Sequence, residues 1–316
     1  MQTTNNWKEI FNKENRTKYF VHAISFLCIA SIIVFVFLLI GDNSPKKGEG
    51  ATAEKQIDYF ADIELEAKGA MVWDVVNHRE IFSQNADTPM PLASLTKVMT
   101  ALVASENISD SSDIEISAEY LAPEGDSRLI AGDRWRTSDL RDFTLLTSSN
   151  DGAFALAAIA ESKTAGERED FIRSMNSKAN AIGLLNSRFF NEHGLDIDES
   201  ESGAYGSARD MAFLFEYAMK HSPEVLEATR YENMIFASAQ NIYPAQNTNY
   251  FVDQVPNIIA SKTGFTDLAG GNLVIAYDAG LNRPIIISVL GSSEEGRFKD
   301  ALKLLEASME EIQNSK

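Results

Sequence analysis

The chain has 316 residues, enough for one large domain or two small ones with a sizeable core. Its apolar and charged fractions, 44% and 23%, are those of an ordinary globular protein. A formal net charge of −18 repels phosphate backbones and argues against nucleic acid as a partner, and the lone cysteine, Cys28, excludes an internal disulfide, a cysteine-rich metal site and a thiolate nucleophile.

In chain order, residues 1–18 carry four basic side chains, Lys8, Lys13, Arg16 and Lys18, against Glu9 and Glu14. They read as a cytoplasmic tail. Phe20 to Ile40 follows as an apolar run, FVHAISFLCIASIIVFVFLLI, with His22 its one titratable residue besides Cys28. That run is long enough to span a bilayer as a helix and longer than the roughly 7–15 apolar residues of a cleaved signal peptide. The predicted element is an uncleaved transmembrane anchor over 19–40. The basic residues before it place the N-terminus in the cytoplasm, although Lys46 and Lys47 on the far side vote the other way. Ala51-Thr-Ala53 resembles a cleavage site but lies far downstream of the run. Residues 41–60, rich in Gly, Lys, Glu and small side chains, read as a flexible tether. The expected folded domain is 61–316.

Within it, Ala70 to Val76 is a predicted strand, Asn77-His78 a tight turn, and Glu80-Ile81-Phe82 the start of the returning strand. After Pro89 and Pro91, Ser94 to Ala104 is a predicted helix with Leu95, Val98, Met99 and Leu102 on one stripe. Ser138 to Leu146 and Ala153 to Ala160 are two helical pieces. Phe171, Ile172, Met175, Ala179 and Ile182 mark an amphipathic helix, and Ser207-Ala-Arg-Asp210 resembles a capping box ahead of another. Ile258 to Ser261, Asn272 to Tyr277 and Ile285 to Leu290 are predicted strands, followed by a last helix bearing Phe298, Ala301, Leu305 and Met309. Two strands, a helical block, three strands and a helix predict an α+β fold, with early and late strands in one antiparallel sheet covered by helices.

Three motifs carry chemistry. In Ser94-Leu-Thr-Lys97, residues three apart on a helix share a face, so the amine hangs beside the hydroxyl. A serine needs a neighbouring base to become a nucleophile, and a buried lysine can be that base. The helix start offers free N–H groups to a developing oxyanion. Alone the pattern is weak, and Ser44-Pro-Lys-Lys47 repeats it in the tether. Ser148-Ser-Asn150 pairs a proton-relaying hydroxyl with an amide that can hold a peptide group. The S-x-N pattern also occurs at Ser83, Ser105 and Ser174, but only Ser148 sits at a junction between helical pieces, where polar groups can face a cleft. Lys262-Thr-Gly264 occurs once and is expected to end a strand. Its lysine and hydroxyl suit a carboxylate, and its glycine lets a substrate approach the strand edge. The order S-x-x-K, S-x-N, K-T-G is far more specific than any one motif.

Together with E-G-D-S-R-L-I-A-G-D at Glu124–Asp133, N-E-H-G-L-D at Asn191–Asp196 and G-R at Gly296-Arg297, these motifs resemble the serine D-alanyl-D-alanine carboxypeptidases, the low-molecular-mass penicillin-binding proteins. The resemblance runs from about Ala67 to Leu305. It implies a β-lactamase/transpeptidase-like fold, a five-stranded antiparallel sheet flanked by helices with a helical subdomain, and hydrolysis of the terminal D-Ala-D-Ala bond of peptidoglycan stem peptides. It further implies that Ser94 is the acylated nucleophile, Lys97 its base and Ser148 the proton shuttle. Asn150 would hold the substrate peptide, and Lys262, Thr263 and Arg297 the terminal carboxylate. Gly264 would admit the substrate, and the N–H groups of Ser94 and Phe265 would form the oxyanion hole. β-Lactam antibiotics are the implied covalent inhibitors, and no metal or organic cofactor is implied.

The second motif departs from the family in having Ser149 where Gly or Ala is usual. Familiar members also carry a second, all-β domain, expected to be missing here, and a C-terminal membrane-binding helix, whose job the N-terminal anchor is expected to do. The resulting picture is a single-pass protein of the bacterial cell membrane with an extracytoplasmic catalytic domain. A D,D-endopeptidase acting on cross-links would use the same residues. A class A β-lactamase needs a glutamate four residues before an asparagine, and Ile182 occupies that place before Asn186. His193 is expected to constrain its loop rather than to catalyse. Intact S-L-T-K and K-T-G motifs speak against an inactive wall-binding scaffold. G-x-S-x-G and H-E-x-x-H motifs are absent.

Overall fold

The computed structural model describes residues 58–125, 128–164 and 168–314. The expected tail, the anchor over 19–40 and nearly all of the tether over 41–60 lie outside the described residues. Residues 58–316 form one compact unit. Among the described residues no helix is long and apolar enough to cross a membrane.

The strands are β1 (Gly69–Asp74), β2 (Arg79–Gln84), β3 (Met90–Pro91), β4 (Asp113–Glu115), β5 (Arg134–Arg136), β6 (Arg188–Phe189), β7 (Ala204–Gly206), β8 (Asn233–Ala237), β9 (Ile242–Gln246), β10 (Ile258–Thr266), β11 (Gly270–Asp278) and β12 (Pro284–Ser292). The helices are α1 (Thr96–Asn107), α2 (Thr137–Thr147), α3 (Asn150–Thr164), α4 (Arg168–Ala181), α5 (Ala208–His221), α6 (Glu224–Glu227) and α7 (Gly296–Asn314). The main sheet has five antiparallel strands in the order β10-β11-β12-β1-β2, so the first hairpin joins the last three strands as expected.

Strands β1, β11 and β12 are buried on both faces, which is why they read as nearly unbroken apolar runs. Side chains alternate between faces with period two. Met71, Val274, Ala276, Ile286 and Leu290 point into the core shared with α1 to α5. Ala70, Val72, Ile275, Ile287 and Val289 point the other way, onto Phe298, Ala301, Leu304 and Leu305 of α7. The apolar stripe of α7 is thus its docking face, and burying each large side chain contributes roughly 1.5–3 kcal/mol.

Two helix starts differ from expectation in instructive ways. Ser94 lies in a 3₁₀ turn, Ala93–Leu95, that leads into α1. Ser207 caps α5, accepting from the Asp210 N–H at 3.1 Å, but the Asp210 carboxylate does not complete a capping box. It accepts instead from Asn186 N–H and Ser187 Oγ, both at 2.8 Å, tying the loop after α4 to α5. Strand β10 runs five residues beyond the predicted end, to Thr266, because pairing with β11 continues to Thr266↔Gly270. Lys262-Thr-Gly264 is therefore inside an edge strand rather than at its end.

Candidate active site

Three elements carry the side chains. The 3₁₀ turn before α1 presents Ser94, the link between α2 and α3 presents Ser148, and the edge strand β10 presents Lys262. The serine turn is pinned from both sides. Leu92 N–H donates to Ala204 C=O at 2.9 Å, and Ala93 takes the left-handed conformation, φ +49°. Gly264 packs so closely that an added Cβ would lie 2.8 Å from Leu92 O and 3.1 Å from Ser94 N. Glycine at 264 is what lets β10 approach the Ser94 turn.

Lys97, in the first turn of α1, is fully buried. Its Nζ lies 2.8 Å from Ser94 Oγ and donates to His193 C=O at 2.6 Å. Burial lowers its pKa to about 7, against a partial rise from the negative charge of Glu192. An amine half neutral near pH 7 can take the serine proton through its lone pair.

Ser148 ends α2 in the left-handed conformation, φ +61°, which turns its hydroxyl out of the helix line. Its Oγ accepts from Lys262 Nζ at 2.8 Å, and the same amine donates to Thr263 C=O at 2.8 Å. Lys262 is buried, and its pKa is pushed well below the ordinary value by burial first, then by Lys97 and Arg297. Two serine–lysine pairs therefore share one site, and their positive charges act on each other.

The remaining expected residues are close by. Asn150 begins α3 and donates through Nδ2 to Glu124 C=O at 2.6 Å. An amide has a second N–H and an acceptor oxygen with which to hold a peptide group. Thr263 Oγ1 is 2.5 Å from Thr248 Oγ1. Arg297 is buried on α7, lies over the Phe298 ring at 4.7 Å and donates from Nη1 to Gly264 C=O at 2.8 Å. Its guanidinium thereby braces β10. Phe265 is 44% exposed and lines a cavity of about 830 Å³ with Asn150 and Leu195. A second cavity, of about 1060 Å³, lies on the Ser148 side and is lined by Ser148, Asn150, Ile235, Ile242 and Gln246 among others.

Several residues contribute through contacts that no local pattern signals. Ser149, the departure from the family pattern, is buried and accepts from Gly152 N–H at 2.9 Å, so it caps α3. Thr248 reaches Thr263 from an otherwise unmarked loop, and His193 meets Lys97 through its main chain. Among the described residues no group of three or more His, Cys, Asp or Glu side chains could hold a metal ion.

Gly194 deserves a variant of its own. It has φ +82°, and an added Cβ would lie 2.0 Å from Ala93 O and 2.7 Å from Thr96 Oγ1. Gly194→Ala is expected to cost at least about 2 kcal/mol and to lower the acylation rate by displacing the Ser94 turn. Gly183 has φ +81° with nothing within 4 Å of its Cβ position, so Gly183→Ala isolates the backbone strain alone, about 1 kcal/mol. Melting curves of the two variants check this; equal losses would contradict it.

A serine beside a buried lysine, a second serine–lysine pair and an edge strand along the site define a serine acyl-transfer enzyme of the penicillin-binding class. The chain belongs to the D-alanyl-D-alanine carboxypeptidase family, peptidase S11, whose sequence profile matches residues 52–294. It is 27% identical over 276 residues to the D-alanyl-D-alanine carboxypeptidase DacF of Bacillus subtilis (strain 168), covering 85% of this chain and 69% of that one. It is 30% identical over 264 residues to DacA of Escherichia coli (strain K12), covering 77% of this chain but only 60% of that one. A D-alanyl-D-alanine endopeptidase of the same organism is 29% identical over 248 residues, covering 76% of each. Among solved structures, the ampicillin-bound penicillin-binding protein D2 of Listeria monocytogenes superposes with a TM-score of 0.65 at 27% identity, covering 78% of this chain and 98% of that one.

Proposed function

We propose that this chain hydrolyses the terminal D-Ala-D-Ala bond of peptidoglycan stem peptides through an acyl-enzyme on Ser94. The observation that carries this reading is the 2.8 Å approach of Ser94 Oγ to the buried amine of Lys97. Neutral Lys97 takes the hydroxyl proton as Oγ attacks the carbonyl of the penultimate D-alanine. The N–H groups of Ser94 and Phe265 hold the oxyanion that forms. Asn150 holds the peptide, while Thr263, Lys262 and Arg297 provide the positive and hydroxyl groups that suit the terminal carboxylate. Collapse breaks the C–N bond, and the amine of the departing D-alanine receives its proton from Ser148, which recovers one from the Lys97 ammonium by way of the Ser148–Lys262 pair and so leaves Lys97 neutral. Water then attacks the ester, giving a proton to the neutral Lys97, which passes it to Ser94 Oγ as the ester C–O bond breaks and Ser94 is regenerated. A β-lactam would acylate the same hydroxyl as its ring C–N bond opens, leaving a ring-opened ester on Ser94, which makes such compounds covalent inhibitors.

The apolar run from Phe20 to Ile40 supports a single-pass anchor over 19–40. On that reading 1–18 is a cytoplasmic tail, 41–60 a tether, and 61–316 a catalytic domain held outside a bacterial cell membrane.

One observation favours a second reading. The cavity of about 1060 Å³ opens beside Ser148, on the side where the leaving amine takes its proton, and it is far larger than free D-alanine needs. A leaving group that is itself a stem peptide would fit there, and cutting it away is D,D-endopeptidase chemistry. Chromatography of products from a pentapeptide and from a cross-linked dimer decides between them. Release of D-alanine from the pentapeptide, absent in Ser94→Ala, is the expected result. Cleavage of the dimer alone would replace the carboxypeptidase reading with the endopeptidase one.

A further inference from the structure

The loop from Asn191 to Leu195 runs along the back of the nucleophile turn, and two successive carbonyls fasten it to α1. Thr100 Oγ1 donates to Glu192 C=O at 2.6 Å, and Lys97 Nζ donates to His193 C=O at 2.6 Å. Residues 97 and 100 share one face of α1, so the loop tracks that face. Asn191 Oδ1 accepts from Gly194 N–H at 2.6 Å and tightens the turn, and Asp196 ties the loop to β10 by accepting from Thr266 Oγ1 at 3.0 Å.

Within this clamp the Glu192 residue is completely enclosed, with 0% exposure. A carboxylate so placed is rare unless charge and hydrogen bonds compensate it. Two groups do so. His193 Nε2 lies 3.6 Å from Glu192 Oε1. Leu195 N–H donates to His193 Nδ1 at 3.1 Å, which assigns the proton of the neutral ring to Nε2 and turns that N–H edge toward the carboxylate. The other group is Lys97, whose charged form Glu192 stabilises. The further charges around this amine are cations: Lys262 interacts with it directly, and Arg297 acts on Lys262. Among the described residues Glu192 is the one carboxylate whose charge opposes the burial of Lys97.

We propose that Glu192 is a positioning residue for the reaction: its enclosed carboxylate lies against the His193 ring and braces the residue whose carbonyl holds the Lys97 amine beside Ser94, and its charge tunes how strongly that amine draws the serine proton. The inference rests on the acyl-enzyme reading above. Burial by itself favours the neutral amine, which is the form that acts, but the more the ammonium is disfavoured the weaker the amine is as a base. An enclosed anion nearby restores basicity without solvating the site. Two oppositely signed consequences follow from removing it. Lys97 would stay neutral to lower pH, and at every pH where it is neutral it would accept the proton less readily.

The test is the pH profile of the second-order acylation rate with a fluorescent penicillin, measured for full-length wild type, Glu192→Gln and Glu192→Asp. In Glu192→Gln the midpoint of the acid limb should fall by roughly one pH unit or more, since the enclosed charge that opposes the burial of Lys97 is gone. Its alkaline plateau should fall several-fold. Glu192→Asp keeps the charge but withdraws it by one methylene, so its midpoint should lie between the other two. A Glu192→Gln profile scaled down equally at all pH values, with the wild-type midpoint, would mean a merely structural role and overturn the proposal. Should the Gln variant fail to fold, the Asp variant carries the test, and a midpoint equal to that of wild type overturns it. Absence of labelling in the wild type would instead sink the acyl-enzyme reading itself, an outcome distinct from an unmoved profile.

Discussion

Lys97→Ala is expected to slow acylation by about 10³-fold or more, near the upper range for a lost general base. The physical reason is that among the described residues no other amine is hydrogen-bonded to Ser94 Oγ as Lys97 is, at 2.8 Å. Lys262 cannot stand in, because its own amine is committed to Ser148 Oγ and Thr263 C=O. The same assignment dictates the pH dependence of the wild type. Only the neutral amine accepts a proton, so the rate should climb as pH rises through about 7, the value to which burial lowers Lys97. Two units below that midpoint roughly 1% of the enzyme is competent, and the rate should be about 100-fold below its plateau. Stopped-flow acylation by a chromogenic or fluorescent β-lactam across pH 5–9, roughly the range over which this group titrates, measures both effects. A Lys97→Ala variant that retains the acid limb would transfer it to another group.

Ser94→Ala should have the larger effect on turnover, removing D-alanine release by about 10⁴-fold or more, since no covalent intermediate can form. The fold should survive, because Ser94 is only partly buried and the turn is held by its main chain and by Gly264 and Gly194. Ser94 and Lys97 act as a unit, so the double variant should be little worse than Ser94→Ala alone. Additive losses in that cycle would show the two residues working in separate steps.

Much of this architecture was legible in the chain because its signals are local. Strands β1, β11 and β12 announce themselves as β-branched apolar runs, and α1, α4 and α7 as stripes of period 3.6. The motif residues were legible by order and spacing. Their geometry was not, because it depends on groups far away in sequence. Nothing near Lys262 says that β10 continues to Thr266; the partner strand β11 decides it. The hairpin β8–β9 escaped notice because Ile235 and Ile242 face outward while Phe236 and Tyr243 face inward, blurring the alternation of a half-buried strand. Tyr243, Asn241 and Ser238 all hydrogen-bond Asp133, more than one hundred residues earlier, which no local pattern encodes. Glu192 reads as one more acidic residue in a strongly acidic chain, and only the packing of its loop on α1 reveals where its charge acts.

The most direct measurement of the central claim is the intact mass of the protein after exposure to benzylpenicillin. The account predicts a single covalent adduct on the wild type, located on the peptide containing Ser94 and missing from a folded Ser94→Ala variant. A folded wild type that gains no mass, or a Ser94→Ala variant that gains the same mass, would contradict it.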